Sequence, residues 1–215
     1  MTNMGACMPY LKKSTPAKES VDCRILTAAL DLFVERGFHN VSVHDVQKQA
    51  NVSIGSIYNH FGGKEGIAKA LYYHLLKEFE EMIEEIIATD LSFRERCNTI
   101  IRQLFEYTET RRNIVAFMLH AKHREFLPDE PPVCSSTPFK AMRSIVQDGM
   151  DTGEIRTGEP WVAASTVFGG AIRMVHLRLD NVIKEPLPTY QEELIDCMWQ
   201  GMLQQPLPEL KELTG

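Results

Sequence analysis

The chain has 215 residues, 44% of them hydrophobic and 24% charged, with a formal net charge of −6. Those proportions suit a soluble globular chain and exclude a disordered class; no apolar run approaches the roughly 20 residues of a membrane span, and the N-terminus lacks the apolar core of a secretory signal, so no membrane association and a cytoplasmic location are expected. The charge is uneven, with eight Lys/Arg against six Asp/Glu in residues 1–70 and fifteen against twenty-three in residues 71–215, so only the N-terminal third favours phosphate.

Residues 1–19 carry Lys12 and Lys13 among small and polar residues without apolar periodicity, which predicts a flexible basic arm. From about Ser20, the residues Ile25, Ala29, Leu32 and Phe33 recur at helical spacing until Gly37 ends a first helix. Ser42 and Asp45 form a capping-box pair at the start of a short second helix with Val43, Val46 and Ala50 on one face. Asn51 tolerates the left-handed corner that follows, and Ser53 caps a third helix that runs to about Phe61. Gly62 and Gly63 break it. From Lys64 a long amphipathic helix carries Ile67, Leu71, Leu75, Phe79, Met82 and Ile86.

Beyond Asp90 the pattern stays helical, first through Phe93, Cys97, Ile100 and Leu104, then through Ile114, Phe117, Met118 and Ala121. Four prolines between Pro128 and Pro138 predict a loop, followed by helices over about 139–153, 160–182 and 189–204. The expected fold is therefore all-α. The helix from Trp161 is apolar on two faces, so one face is expected to pack on its own domain. The other, with Trp161, Phe168, Ile172, Val175 and Leu179, is expected to join Leu194, Met198, Gly201 and Met202 in a dimer seam. Five cysteines without short repeat spacing indicate neither a disulfide framework nor a zinc site, and His120 and His123 lack a third ligand, so no metal is expected.

Two short helices joined by a tight corner and backed by a supporting helix make a helix-turn-helix, whose second short helix enters the major groove. The run Val41-Ser42-Val43-His44-Asp45-Val46, then Ala50-Asn51-Val52-Ser53-Ile54-Gly55-Ser56-Ile57-Tyr58-Asn59-His60-Phe61 and Lys64-Glu65, closely resembles the tetracycline-repressor (TetR) family, as does the supporting helix around Ala28–Phe38. The resemblance covers roughly residues 20–70. It implies a basic arm over 1–19, a helix-turn-helix DNA-binding domain over 20–66, and a helical effector-binding and dimerisation domain over 67–215. It further implies a homodimer that binds double-stranded operator DNA as a repressor and is released by a small-molecule effector. Control by a partner protein, or no ligand at all, is the alternative, since the head would look the same.

Within the head, Ile54, Gly55 and Ser56 occupy the first turn of the recognition helix, where base edges are met. Tyr58, His60 and Lys64 match family positions that hold phosphates, and each offers a donor for that task. Ser42 and His44 open the second helix, whose N-terminal amides face a phosphate; Ser53 and Asn59 complete the expected DNA-binding set. Gly63 stands where the family commonly has a capping serine, and Gly66 softens the first turn of the long helix, which suggests a pliant joint. In the C-terminal part, Phe105, Phe117, Met118, Phe139, Met142 and Phe168 are expected to line a mainly apolar pocket, with His120 and His176 as polar anchors. No glycine-rich phosphate loop, nucleophile elbow or paired-carboxylate motif is present, so neither enzymatic activity nor a cofactor is expected.

Overall fold

The computed structural model describes residues 20–202, and the expected basic arm lies outside them. Among the described residues every regular element is helical. The head comprises α1 (Val21–Arg36), α2 (Val43–Ala50) and α3 (Ile54–Phe61). Its ends are set by short-range chemistry. Ser20 Oγ accepts from the Cys23 amide at 3.3 Å. Ser42 and Asp45 form a reciprocal cap, with the Asp45 carboxylate accepting from the Ser42 amide at 2.9 Å and Ser42 Oγ accepting from the Asp45 amide at 3.2 Å. The Ser42 hydroxyl and amide together hold the Asp45 carboxyl below the usual carboxylate range. Asn51 takes the left-handed conformation at φ 51°, Ser53 Oγ accepts from the Ser56 amide at 3.1 Å, and Gly62 closes α3 at φ 74°.

The sequence offered no signal for two bonds that fix the corner between α2 and α3. Gln47 Nε2 donates to the Val52 carbonyl at 2.9 Å, and the Arg24 guanidinium on α1 donates to the Asn51 carbonyl at 3.1 Å. Val46 and Ile57 are fully buried where α2 and α3 pack on α1, in one core with Leu26 and Leu32, while Val43 and Val52 pack at the margin.

A single helix, α4 (Lys64–Ile87), leaves the head and enters the body, so the boundary expected at residue 66 falls inside a continuous rod. Gly66 does not act as a soft point. A Cβ placed there would lie 1.7 Å from the Phe61 carbonyl oxygen, so the last residue of α3 rests directly on the backbone of α4. Only glycine allows that approach, and the expectation of a pliant joint gives way to one of tight contact.

The body adds α5 (Phe93–Thr110), α6 (Arg112–Val115, continued by a widened turn over Ala116–His120), α7 (Thr137–Asp151), α8 (Pro160–Leu179) and α9 (Gln191–Met202). One hydrophobic core runs through both parts. The proline-rich stretch is a strap with short turns at His123–Glu125 and Val133–Ser135. It is tied to α4, since Tyr72 Oη donates to the Pro131 carbonyl at 3.0 Å and Glu130 accepts from both Lys69, at 2.7 Å, and the Tyr73 hydroxyl. Pro138 begins a helix rather than ending the loop, because proline is tolerated in a first turn. The far end of α8 is held by Arg112, which donates to the Leu179 carbonyl at 2.8 Å, and by a two-pronged pair between Arg178 and Glu109 at 2.8 and 2.9 Å.

Candidate DNA-binding head and effector sites

The recognition helix α3 is presented to solvent. Gly55, Tyr58, Asn59 and His60 are exposed, with Tyr58 at 55% of its free area, although an unengaged tyrosine ring would ordinarily seek cover. Ser42 and His44 are exposed at the start of α2, and Lys48 adds an exposed cation on the same short helix. Ser53 and Ser56 share a hydroxyl contact of 2.8 Å, and Ile54 is half-buried. Two members of the expected set have partners of their own. The His60 ring forms an ion pair with Asp22 on α1. The Lys64 ammonium donates to the Phe38 carbonyl at 3.0 Å and sits 4.2 Å over the Phe38 ring.

The expected ligand-pocket residues do not converge. Phe105, Phe117, Met118 and Phe168 are almost wholly enclosed in the core. Phe139 and Met142 line a small apolar slot of about 30 Å³ with Phe79, Met82 and Ile172. Phe117 and His120 border a different space, a cleft of about 370 Å³ between head and body. His176 Nε2 contacts the Leu119 carbonyl at 2.8 Å. Helical periodicity identified apolar faces correctly, but it does not distinguish a residue that lines a cavity from one that fills it.

The expected dimer seam divides in the same way. Phe168, Val175, Met198 and Met202 are buried in their own chain, because α8 turns that stripe onto α5 and α7 and α9 covers it; they are therefore removed from the seam. Trp161 and Gly201 are exposed, and Ile172, Leu179 and Leu194 are half-buried. At Gly169 and Gly201 an added Cβ would meet nothing within 4 Å, so the outer face of α8 and α9 is open and smooth.

Head and body meet through α1, α4 and α6. Asn113 donates to Asp31 at 2.7 Å, and Phe38 stacks on Phe126 with centroids 4.5 Å apart. Behind that stack His123 is 8% exposed, caged by Tyr72, Phe117 and Phe126. Burial lowers its pKa to about 4, opposed by a backbone hydrogen bond at Phe117. A histidine depressed in the folded state from 6.5 leaves stability intact above pH 6.5 and costs it as the pH falls towards 4, since only the unfolded chain takes the proton over that window. The size is about 3 kcal/mol. His123→Phe is expected to flatten that part of the stability profile in denaturant unfolding between pH 7 and 4; an unchanged slope would place the loss elsewhere.

Comparison with known proteins agrees with the geometry. Residues 25–71 match the family described as bacterial regulatory proteins, tetR family. The fatty acid metabolism regulator protein of Bacillus subtilis is 24% identical over 183 residues, which cover 83% of this chain and 94% of that protein. The transcriptional repressor KstR2 of Rhodococcus jostii is 28% identical over 102 residues, 47% of this chain and 50% of that protein. In fold, the chain is similar to the crystal structure of Bacillus subtilis FadR in complex with stearoyl-CoA, with a TM-score of 0.72 and 24% identity over 83% of this chain and 97% of that one. No described helix is long and apolar enough to cross a membrane. The segment that matches the tetR family of bacterial regulatory proteins is thus a helix-turn-helix with its second short helix exposed, joined by one long helix to an all-helical body, and the chain resembles transcriptional regulators of that family.

Proposed function

We propose that the protein is a homodimeric repressor that leaves its operator when a long-chain acyl-CoA enters the apolar slot of the body. The observation that carries this reading is the path of α4. Phe79, Met82 and Ile83 on that helix line the slot, and Gly66 on the same helix bears on Phe61 of α3. The two points are thirteen residues apart, roughly 20 Å along a helix. A chain that parts α4 from α5 and α7 therefore displaces the recognition helix as well.

The slot now holds space for about one water, about 30 Å³, and its described lining is wholly apolar. Met82 and Met142 are flexible thioether side chains that yield to an entering hydrocarbon, and no polar group must be stripped of water in the process. An acyl chain fits this chemistry, and the similarity to a regulator solved with stearoyl-CoA supports it. The open outer face of α8 and α9, with Trp161, Val162, Gly169, Leu194 and Gly201, is the surface on which a second copy is expected to pack.

Stearoyl-CoA titrated into a protein–operator complex should release the DNA, followed by fluorescence anisotropy of a labelled duplex. Phe139→Trp, which fills the slot from a half-buried position, should raise the ligand concentration required by about tenfold. Release by free coenzyme A alone, or equal release from the variant, would contradict the reading. The smallness of the slot favours one other reading, a regulator controlled without a ligand, in which stearoyl-CoA leaves the complex intact.

A further inference from the structure

We infer that the cleft between head and body is a second effector site, one that takes a planar aromatic carboxylate and acts on operator binding through Phe38 and Lys64. Its volume of about 370 Å³ is at the lower end of small-molecule sites. Phe33 and Phe38 of the head and Phe117 and Phe126 of the body line it, Phe38 and Phe126 stacked on each other, together with the small Ala116 and Ala121. A lining of four rings suits a flat aromatic guest in offset or edge contact beside the stacked pair. The lining also holds polar groups, Lys122, His39, His120 and Glu125, while the Asn40 amide already donates to the Arg36 carbonyl at 2.8 Å. Two carboxylates lie close, Glu125 at 3.4 Å from Lys122 and Asp180 at 3.4 Å from His120. The Lys122 side chain is 81% exposed, so its ammonium is free to turn towards an anion in the mouth.

This space is distinct from the apolar slot, with which it shares no lining residue. Its occupant touches a ring that bridges both parts of the molecule. Phe38 stacks on Phe126 and carries Lys64 against its face, and its own carbonyl accepts from the Lys64 ammonium. Lys64 follows the recognition helix directly after Gly62 and Gly63. A guest that moves Phe38 unseats Lys64 and changes the charge offered to a phosphate, so the cleft and the operator are coupled through two side chains.

The test uses 1-naphthoate with the full-length protein, its binding followed by calorimetry and its position by NMR contacts to the rings of Phe38 and Phe126. Saturable one-to-one binding per chain is expected, weakened about tenfold by Lys122→Ala, which alters only an exposed side chain, and lost in Ala121→Trp, which fills the cleft. Phe139→Trp in the apolar slot should leave naphthoate binding as it is, which separates this site from the acyl-chain reading. Saturating naphthoate should also shift operator affinity in the wild type. No binding at millimolar naphthoate, equal binding of 1-naphthylmethylamine, loss of binding in Phe139→Trp, or an operator affinity indifferent to bound naphthoate would overturn the proposal.

Discussion

Gly66→Ala is expected to lower the thermal midpoint by about 6 °C and to weaken operator binding by at least tenfold. Two effects of opposite sign compete at this position. Alanine in place of glycine inside a helix ordinarily stabilises by about 1 kcal/mol. Against that, the new methyl would stand 1.7 Å from the Phe61 carbonyl oxygen and 2.8 Å from its carbonyl carbon. Backbone atoms cannot swing aside as a side-chain tip does, so α3 and α4 must separate. Overpacking of a tight contact costs about 3 kcal/mol, the upper part of the usual range, so the net loss is about 2 kcal/mol, which in a chain of this size is roughly 6 °C. The affinity loss follows from the same displacement, because α3 is the helix that moves. A variant that melts higher than the wild type would show that propensity governs this site and that α3 does not rest on α4. Melting curves and operator titrations on one preparation check both parts.

The head was legible in the sequence because its determinants act over three or four residues. Ser42 with Asp45, Ser53 with the Ser56 amide, and the left-handed Asn51 and Gly62 are local rules of helix starts and stops, and the chain obeys each. What depended on distant partners was hidden. Gly66 looked like a weak helix residue because nothing nearby in sequence shows that Phe61 returns onto it. Lys64 was expected to hold a phosphate, and its contact with Phe38, twenty-six residues earlier, was not legible. In the body, apolar spacing gave the helices but not the neighbour each face meets. Phe168 and Val175 belong to the core, whereas Trp161, one helical face away, is 55% exposed with Arg143 lying 3.9 Å over its ring. The loop from Pro128 was legible from its prolines, although α7 starts at Thr137, before the expected end at Pro138, while the ties of the strap to Tyr72, Tyr73 and Lys69 were not legible.

Removal of the exposed face of α3 carries the other large effect. Tyr58 and Asn59 are exposed and outside the hydrophobic core, so replacing both by alanine is expected to cost the fold little while removing what the helix offers to DNA. A good side-chain contact to a base or phosphate contributes about 1–3 kcal/mol, and a twofold dimer loses each contact twice. The double variant is therefore expected to bind operator at least a hundredfold more weakly. If Lys64 leaves Phe38 for a phosphate on docking, Lys64→Ala lowers the salt dependence of affinity by about one unit of slope per protomer. The most direct measurement is selection of bound duplexes from a random pool by wild-type protein and by Tyr58→Ala/Asn59→Ala, compared side by side. The wild type should enrich two inverted half-sites with centres about 34 Å apart, and the variant should enrich none. Equal enrichment by both proteins, or a single unpaired site, would contradict an operator read by α3 from two copies of the chain.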